Sequence, residues 1–465
     1  MHSRTRFCHP AAVVEHFRKG AQQLGLIVIG VVALTSQVFG QLGGGFAGNQ
    51  AVGGISVDAD GIVQNLEPQA LQSLAATRRQ ALAGVPLGGD GQRELQKVSL
   101  RRIVAAVEEA LADGTNVPAD VLTLGGLERI EYVFVDSDAR DLILAGPADT
   151  AIVDDSGTIV AASSGRPLLL LEDLVVALRA IDAARMGGMQ CSIDPSPEGL
   201  ARLRAMLRQA KSIGNPQQMY RAMEQALGPQ QISLGGVPAD SHFAQVLVAA
   251  DYRLKRIGMG LEPSGLAQLP SYLSMVPATA GTTLLPRFWL EATYEPLARD
   301  PDELAWKFSG RQLVCLTESD LLARQEIKRG AGRTNLPATR WCGLMTEHYN
   351  ALARKQPVFA ELANCVDLAV LAALIESRQL ADRAGLDLSP LLDTARMRLP
   401  TYPVATQVPT VAHGIKKGNR WVLSASGGVQ FQPWALIEDV AESEDIADVR
   451  TLALASRPEQ GFYWD

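Results

Sequence analysis

The stretch Ile130–Ala162, IEYVFVDSDARDLILAGPADTAIVDDSGTIVAA, decides the fold class. Two Asp-rich knots, Asp136-Ser137-Asp138-Ala139-Arg140-Asp141 and Asp154-Asp155-Ser156-Gly157, interrupt runs of β-branched and aromatic residues. Asp and Gly favour turns because the Asp side chain bonds to nearby backbone and Gly adopts positive φ. The runs Ile130–Val135 and Leu142–Ala145 therefore read as one antiparallel hairpin, and Ala151–Val153 with Thr158–Ala162 as a second. A parallel sheet would need a crossover helix between its strands, and the knots leave no room for one. Upstream, Ile103, Val104, Val107 and Leu111 fall on one face of a helix over Leu100–Ala112, which opens on Ser99 as N-cap and closes at Gly114. Downstream, Leu171–Ala184 reads as a helix after Pro167. Helices beside antiparallel hairpins make an α+β chain.

The remaining segments repeat this alternation. Ile55–Asn65 reads as a small hairpin about Asp60-Gly61, and Gln69–Leu82, Glu198–Lys211 and Pro216–Leu227 as helices, with a short strand at Cys191–Ile193. In the second half, Asp240 caps a helix from Ser241 to Arg256 closed by Gly258. Arg287–Tyr294 reads as a strand. Glu303–Ser309 and Gln312–Thr317 read as a hairpin turning at Ser309-Gly310. Ala338–Arg354 and Val358–Gln379 form a helical hairpin, and Trp421–Ser424 with Val429–Gln432 a C-terminal β-hairpin. The expected organisation is residues 1–40 as a signal peptide, 41–64 as a Gly-rich segment with its hairpin, and two α+β domains of similar helix-then-hairpin layout, 65–230 and 231–465. The helical hairpin 338–379 belongs to the second.

The N-terminal expectation rests on order: basic Arg4, Arg6, Arg18 and Lys19, an apolar core Leu24–Leu34, then Val38-Phe39-Gly40. That is the plan of an export signal, with cleavage between Gly40 and Gln41. An uncleaved anchor is the alternative, although a span needs about 20 apolar residues. No later segment reads as a membrane span. Four basic residues and one acidic residue precede the cut, so the remainder carries 39 Lys/Arg against 49 Asp/Glu, net −10. This balance disfavours nucleic acid and anionic lipid as partners. The basic knot Lys416-Lys417-Gly418-Asn419-Arg420 reads as a hairpin turn. Four cysteines remain after the cut: Cys191, Cys315, Cys342 and Cys365. No CxxC occurs, so a disulfide is the expected use. Cys342–Cys365 is the favoured pair, because an antiparallel helical hairpin turning near 353–357 brings them together; four free thiols or another pairing are the alternatives.

Candidate chemistry is sparse. Asp136, Asp138 and Asp141 crowd one turn, as do Asp58 and Asp60, but EF-hand spacing is absent, so turns are favoured over calcium. The histidines after the cut are His242, His348 and His413; none sits in HExxH, and Glu347-His348 are helix neighbours that point apart. Ser163-Ser164-Gly165-Arg166-Pro167 enters a helix and is a candidate anion cradle, competing with a plain capping loop. Gly43–Gly48 matches GxGxxG by letter without the strand and helix that motif needs. Trp289, Trp306, Trp421 and Trp434 read as core, with ligand stacking as the alternative. Asp367, alone between Glu361 and Glu376 on an apolar helix, reads as a buried structural pair with a partner such as arginine. No metal, cofactor or catalytic residue is assigned from these signals.

Four phrases taken together, Tyr132–Pro147 (YVFVDSDARDLILAGP), Ser163–Ala177 (SSGRPLLLLEDLVVA), Val237–Arg256 (VPADSHFAQVLVAADYRLKR) and Ser426–Val429 (SGGV), resemble an uncharacterised family of exported planctomycete proteins, a domain of unknown function, over roughly residues 100–435. The resemblance implies export and carries no reaction or ligand. The expectation is an exported soluble protein, periplasmic, cell-surface or secreted. It has a non-catalytic binding or structural role in the cell envelope, with a protein or envelope partner. The alternative is an exported hydrolase with a dispersed active site. A deep pocket holding His242 or His348 with a carboxylate and a hydroxyl would favour the hydrolase.

Overall fold

Two mixed sheets and a set of helices share the main hydrophobic core. The computed structural model describes residues 51–82, 91–209, 215–277, 287–310, 312–317, 336–412, 415–417, 420–422 and 426–465. The first hairpin of the quoted stretch sits at the middle of the larger sheet, whose strand order is Val440–Glu442, Leu297–Arg299, Ala305–Lys307, Tyr132–Asp136, Asp141–Ala148, Arg93–Ser99 and Tyr463–Trp464, and the second hairpin, Ala151–Val153 with Ile159–Ala161, is a separate two-stranded sheet. Its central hairpin pairs Tyr132 with Ala145 and Asp136 with Asp141. Side chains alternate between the two faces of a strand. Val133, Val135, Leu142 and Leu144 face the main core, while Phe134, Ile143 and Ala145 face a second cluster with Ile446, Ala453 and Trp464. Burial on both faces is why these strands read as apolar runs.

The Asp-rich knot is a turn held by protein groups. Ala139 N donates to Asp136 Oδ1 at 3.0 Å. Asp141 accepts from Ser99 Oγ at 2.5 Å and from Arg101 N at 2.8 Å, and the Arg457 guanidinium bridges Asp136 and Asp141. Those contacts displace the calcium reading. The Asp58 turn is likewise internal, accepting from Asp60 N at 3.0 Å and Ile62 N at 2.9 Å.

The second sheet runs Gln312–Thr317, Arg287–Thr293, Ser426–Phe431, Met189–Pro195, Gln230–Gly235 and Gln407–Val408. The longer helices are α1 (Pro68–Ala81), α2 (Leu100–Asp113), α3 (Leu171–Ala180), α4 (Pro197–Gln209), α5 (Pro216–Leu227), α6 (His242–Met259), α7 (Leu336–Glu347), α8 (Tyr349–Lys355), α9 (Pro357–Ser377) and α10 (Asp445–Ala455). The α2 caps match their sequence signals: Ser99 Oγ accepts from Arg102 N, and Gly114 takes a left-handed φ of 65°. Helix α9 is mostly apolar. It is long and apolar enough to cross a bilayer, with a mean hydropathy of 2.0, yet 94% of that window is buried inside the protein. Together with α6 it forms the centre of the core.

The chain is α+β, and several pairings differ from expectation. Residue 230, the expected domain boundary, opens a strand of the six-stranded sheet, and both large sheets mix strands from either side of it. The segments Ala305–Lys307 and Gln312–Thr317 are not partners. The first pairs with Leu297–Arg299 and Tyr132–Asp136 in the larger sheet, and the second with Arg287–Thr293 in the smaller. Trp421 lies in a hairpin of Ile415–Lys417 with Arg420–Val422, and residues 418–419 of the basic knot lie outside the described residues. The residues from Ser426 instead run parallel to Arg287–Thr293. Helix α6 is capped by Ser241, not Asp240, and continues past Gly258 to Gly260. Gly258 leaves space for Trp341, whose ring stands 3.4 Å from where a Cβ would be.

Candidate functional site

Three helix starts converge on one cleft. Helix α3 brings Glu172 and Asp173 in its first turn, where acidic residues suit the positive end of the helix. Helix α6 opens with His242 directly after its Ser241 cap. Helix α9 opens on Pro357, and Glu361 and Asn364 lie three residues apart on one face. Tyr402 arrives on an extended segment pinned over the start of α6, where Tyr402 N donates to Asp240 O at 2.8 Å and Gln245 Nε2 to Pro403 O at 2.6 Å. Arg78, in the last turn of α1, reaches the same cleft and donates to Gly157 O at 2.5 Å.

The polar groups meet on an apolar wall of Leu122, Ile159, Leu168, Leu170 and Pro400. The empty space, open mouth included, is about 740 Å³, and water centres can occupy about 50 Å³ of it. At about 10–15 Å³ per water centre, that holds a few waters or the reacting end of a small ligand. His242 Nδ1 lies 2.9 and 3.1 Å from the two Asp173 oxygens. Its Nε2 makes no hydrogen bond among the described residues. The Tyr402 hydroxyl donates towards Glu172, 3.3 Å from each carboxylate oxygen. The His242 and Tyr402 rings are 5.6 Å apart. Asn364 Nδ2 donates to Pro167 O at 2.8 Å. Glu361 Oε2 is sealed from solvent and has no hydrogen-bond partner.

Burial and charge set the acidities. Burial pushes the Glu172 and Glu361 carboxyls up to about 7, against the opposing pull of His242. Burial disfavours a charged His242 ring, but the Asp173 charge and hydrogen bond, with Glu172 and Glu361 behind them, overcome it and raise the imidazole to about 9. At neutral pH the cleft therefore holds an imidazolium beside carboxyls poised between their two forms. A group that titrates near the working pH is an effective proton donor or acceptor. Groups with strongly displaced acidities in a cleft mark functional sites.

Of the residues singled out in the sequence, His242 enters this site. His348 does not: it breaks the helical run between α7 and α8, with Glu347 at 4.0 Å. The loop Ser163–Pro167 borders the cleft through Pro167, but acidic side chains hold it instead of an anion. Ser163 N donates to Asp149 Oδ2 at 2.6 Å and Ser164 Oγ to Glu128 Oε2 at 2.8 Å. Asp367 is fully buried and accepts from the Tyr294 hydroxyl, so a phenol is one of its partners. Trp289 and Trp306 are buried; Trp434 donates to Ile181 O at 2.9 Å under the Arg185 guanidinium. Gly43–Gly48, His413, the Gly40–Gln41 junction and the Trp421 side chain lie outside the described residues.

The four cysteines after Gly40 are buried, and no disulfide links them in the structure. The expected pair Cys342–Cys365 is not formed. The break at His348 lets α8, not α7, run against α9, while α7 packs on the strand Gln312–Thr317. That places Cys342 Sγ 3.4 Å from Cys315 Sγ.

Glu172, Asp173, Glu361 and Tyr402 were not marked as functional in the sequence. The only available signals were an acidic doublet at a helix start and a Glu one turn into an apolar helix. No curated protein and no solved structure matches the chain. A family model described as "Protein of unknown function (DUF1598)" matches residues 191–272, a segment that supplies His242 and all of α6, so the chain carries a domain of unknown function there.

Proposed function

We propose that the cleft is the active site of an acid–base hydrolase and that the protein works outside the cytoplasm. The observation that carries the reading is Glu361: a sealed, partnerless carboxylate oxygen beside a histidine that Asp173 holds as its cation. Opposed acidities assign the roles. Glu361, with Glu172 in the same cleft, takes the proton from an attacking water. His242, oriented through Nδ1, delivers a proton from Nε2 to the leaving group, as an Asp-oriented imidazole does elsewhere. Apart from the Tyr402 phenol, the only hydroxyl among the lining side chains is Thr158, which favours direct attack by water. Three carboxyls facing one imidazolium and Arg78 disfavour an anionic substrate, so a neutral glycoside, ester or amide is the expected class. The sequence reading of a non-catalytic binder rested on the export signal, the acidic charge and the lack of a catalytic cluster, and this group of side chains speaks against the last of these.

The test is a panel of neutral chromogenic glycosides, esters and amides with the purified protein. Turnover should need Glu361 ionised and His242 protonated, which gives a rising limb near pH 7 and a falling limb near pH 9. E361Q and H242N should each lower it at least 100-fold. No turnover across the panel, or turnover kept by both variants, rejects the reading. Export rests on the order of residues 1–40. N-terminal sequencing of the protein from its native host should begin at Gln41, and a start at Met1 rejects cleavage.

A further inference from the structure

We propose that Cys315 and Cys342 form a disulfide bond that staples the edge of the six-stranded sheet to α7. The inference is independent of the acid–base site. Cys315 lies on the edge strand Gln312–Thr317, paired with Leu290 of the neighbouring strand. Cys342 lies on α7, which covers that strand. A second contact fixes the same register: Cys315 N donates to Thr346 Oγ1 at 2.9 Å. Cys342 and Thr346 are four residues apart, so they share one face of α7. Both thiols are buried, at 4% and 3% exposure, and their sulfurs are 3.4 Å apart.

A disulfide needs about 2.05 Å between sulfurs. Closing the remaining gap of roughly 1.4 Å takes small χ1 rotations of two side chains that already point at each other. The other buried thiols are placed differently. Burial raises the pKa values of Cys191 and Cys365 well above the usual thiol range. The carboxylates of Asp251, near Cys191, and Asp173, near Cys365, add to the rise.

The oxidant is a disulfide of a small thiol or of a thiol–disulfide oxidoreductase. One protein thiolate attacks it, forming a mixed disulfide and releasing one reduced thiol. The second protein thiolate then attacks the mixed disulfide and releases the other. Two protein thiols lose two electrons and two protons, and the oxidant gains them as two thiols. Because both sulfurs are buried in the folded chain, the exchange belongs to folding, before α7 closes over the strand. The linked residues are 27 apart in sequence.

The full chain is unfolded in denaturant with reductant, then refolded in mixed oxidised and reduced glutathione. Exchange is then quenched with acid, and the chain is unfolded in denaturant at about pH 8 with excess iodoacetamide and mapped by peptide mass. The expected map has Cys8, Cys191 and Cys365 alkylated, with a peptide linking Cys315 to Cys342. Five alkylated cysteines, or a link from Cys342 to Cys365, overturns the proposal. In C315S, Cys342 should become alkylated; a Cys342 that remains blocked there also overturns it. The wild-type map decides alone if C315S does not fold.

Discussion

Replacing Glu361 by Gln should abolish turnover and, above neutral pH, stabilise the protein. The Glu361 carboxyl is held up to about 7 against a usual 4.5, first by burial. An acid raised in the fold binds its proton more tightly in the folded than in the unfolded state. Its contribution to stability therefore falls as pH rises from 4.5 towards 7 and stays low above that. A displacement of 2.5 units at about 1.36 kcal/mol per unit sets a ceiling of roughly 3.4 kcal/mol. Some of this is returned, because Glu361 is one of the charges that keep His242 protonated and E361Q removes it. The net gain at pH 8.5 should be about 1–2.5 kcal/mol, which at roughly 2 °C per kcal/mol raises the midpoint by about 2–5 °C. At pH 4.5 both side chains are neutral and the gain should vanish. Scanning calorimetry of wild type and E361Q at the two pH values measures it. A shift of equal size at both, or a loss of stability at pH 8.5, would refute the argument that Glu361 is a strained, desolvated acid.

Four further perturbations test other parts of the structure. D173N removes the partner that keeps His242 charged; a raised histidine stabilises fully below its usual 6.5 and loses that contribution as pH rises through about 9. Urea unfolding should therefore show a cost of about 3–5 kcal/mol at pH 6, as for breaking a buried pair, shrinking above pH 9. R457A strips the bridge from fully buried Asp141 and from Asp136, and should cost about 3 kcal/mol by the same measurement. Added calcium or chelator should leave the wild-type melting temperature unchanged, since these carboxylates are engaged. G236A and G114A both place a side chain at positive φ, 76° and 65°. Only at Gly236 would the new Cβ stand 2.1 Å from a backbone oxygen, that of Gly188. G114A should cost about 1 kcal/mol and G236A clearly more, and equal costs would reject the close-approach reading.

Local structure was legible where a single segment holds the whole signal. The α2 helix has its N-cap, apolar face and terminal glycine within sixteen residues, and the 130–148 hairpin has its turn chemistry between two apolar runs. Strand partnership was less legible, because chain neighbours often pair but need not. Ala305–Lys307 and Gln312–Thr317 look like a hairpin about Ser309-Gly310, and Gly310 does take a φ of 62°. The chain uses that turn to pass from one sheet to the other, with Glu295 N bonded to Ser309 O at 3.2 Å. Nothing in either strand encodes that its partner lies up to 175 residues away, as Tyr132–Asp136 does for Ala305–Lys307.

The cleft was illegible for a related reason. Arg78, Glu172, Asp173, His242, Glu361 and Tyr402 come from five separate segments, and each has an ordinary local explanation. Helix α9 shows where the physical distinction lies. It carries Glu361, Asn364 and Asp367 in two turns of an otherwise apolar surface. The sequence drew attention to Asp367, the most isolated charge, and that residue is the settled one, fully buried with the Tyr294 hydroxyl donating to it. Asn364 is settled too, through Pro167 O. Glu361, one turn into the helix, is left with an oxygen that is both dry and unbonded. A fold that satisfies two of three neighbouring polar side chains had the means to satisfy the third. Leaving a buried carboxylate oxygen unpartnered costs about 1–3 kcal/mol or more, and such an exception calls for a reason. Beside an imidazolium with an open Nε2, a bond that forms only when water or substrate enters the cleft supplies one.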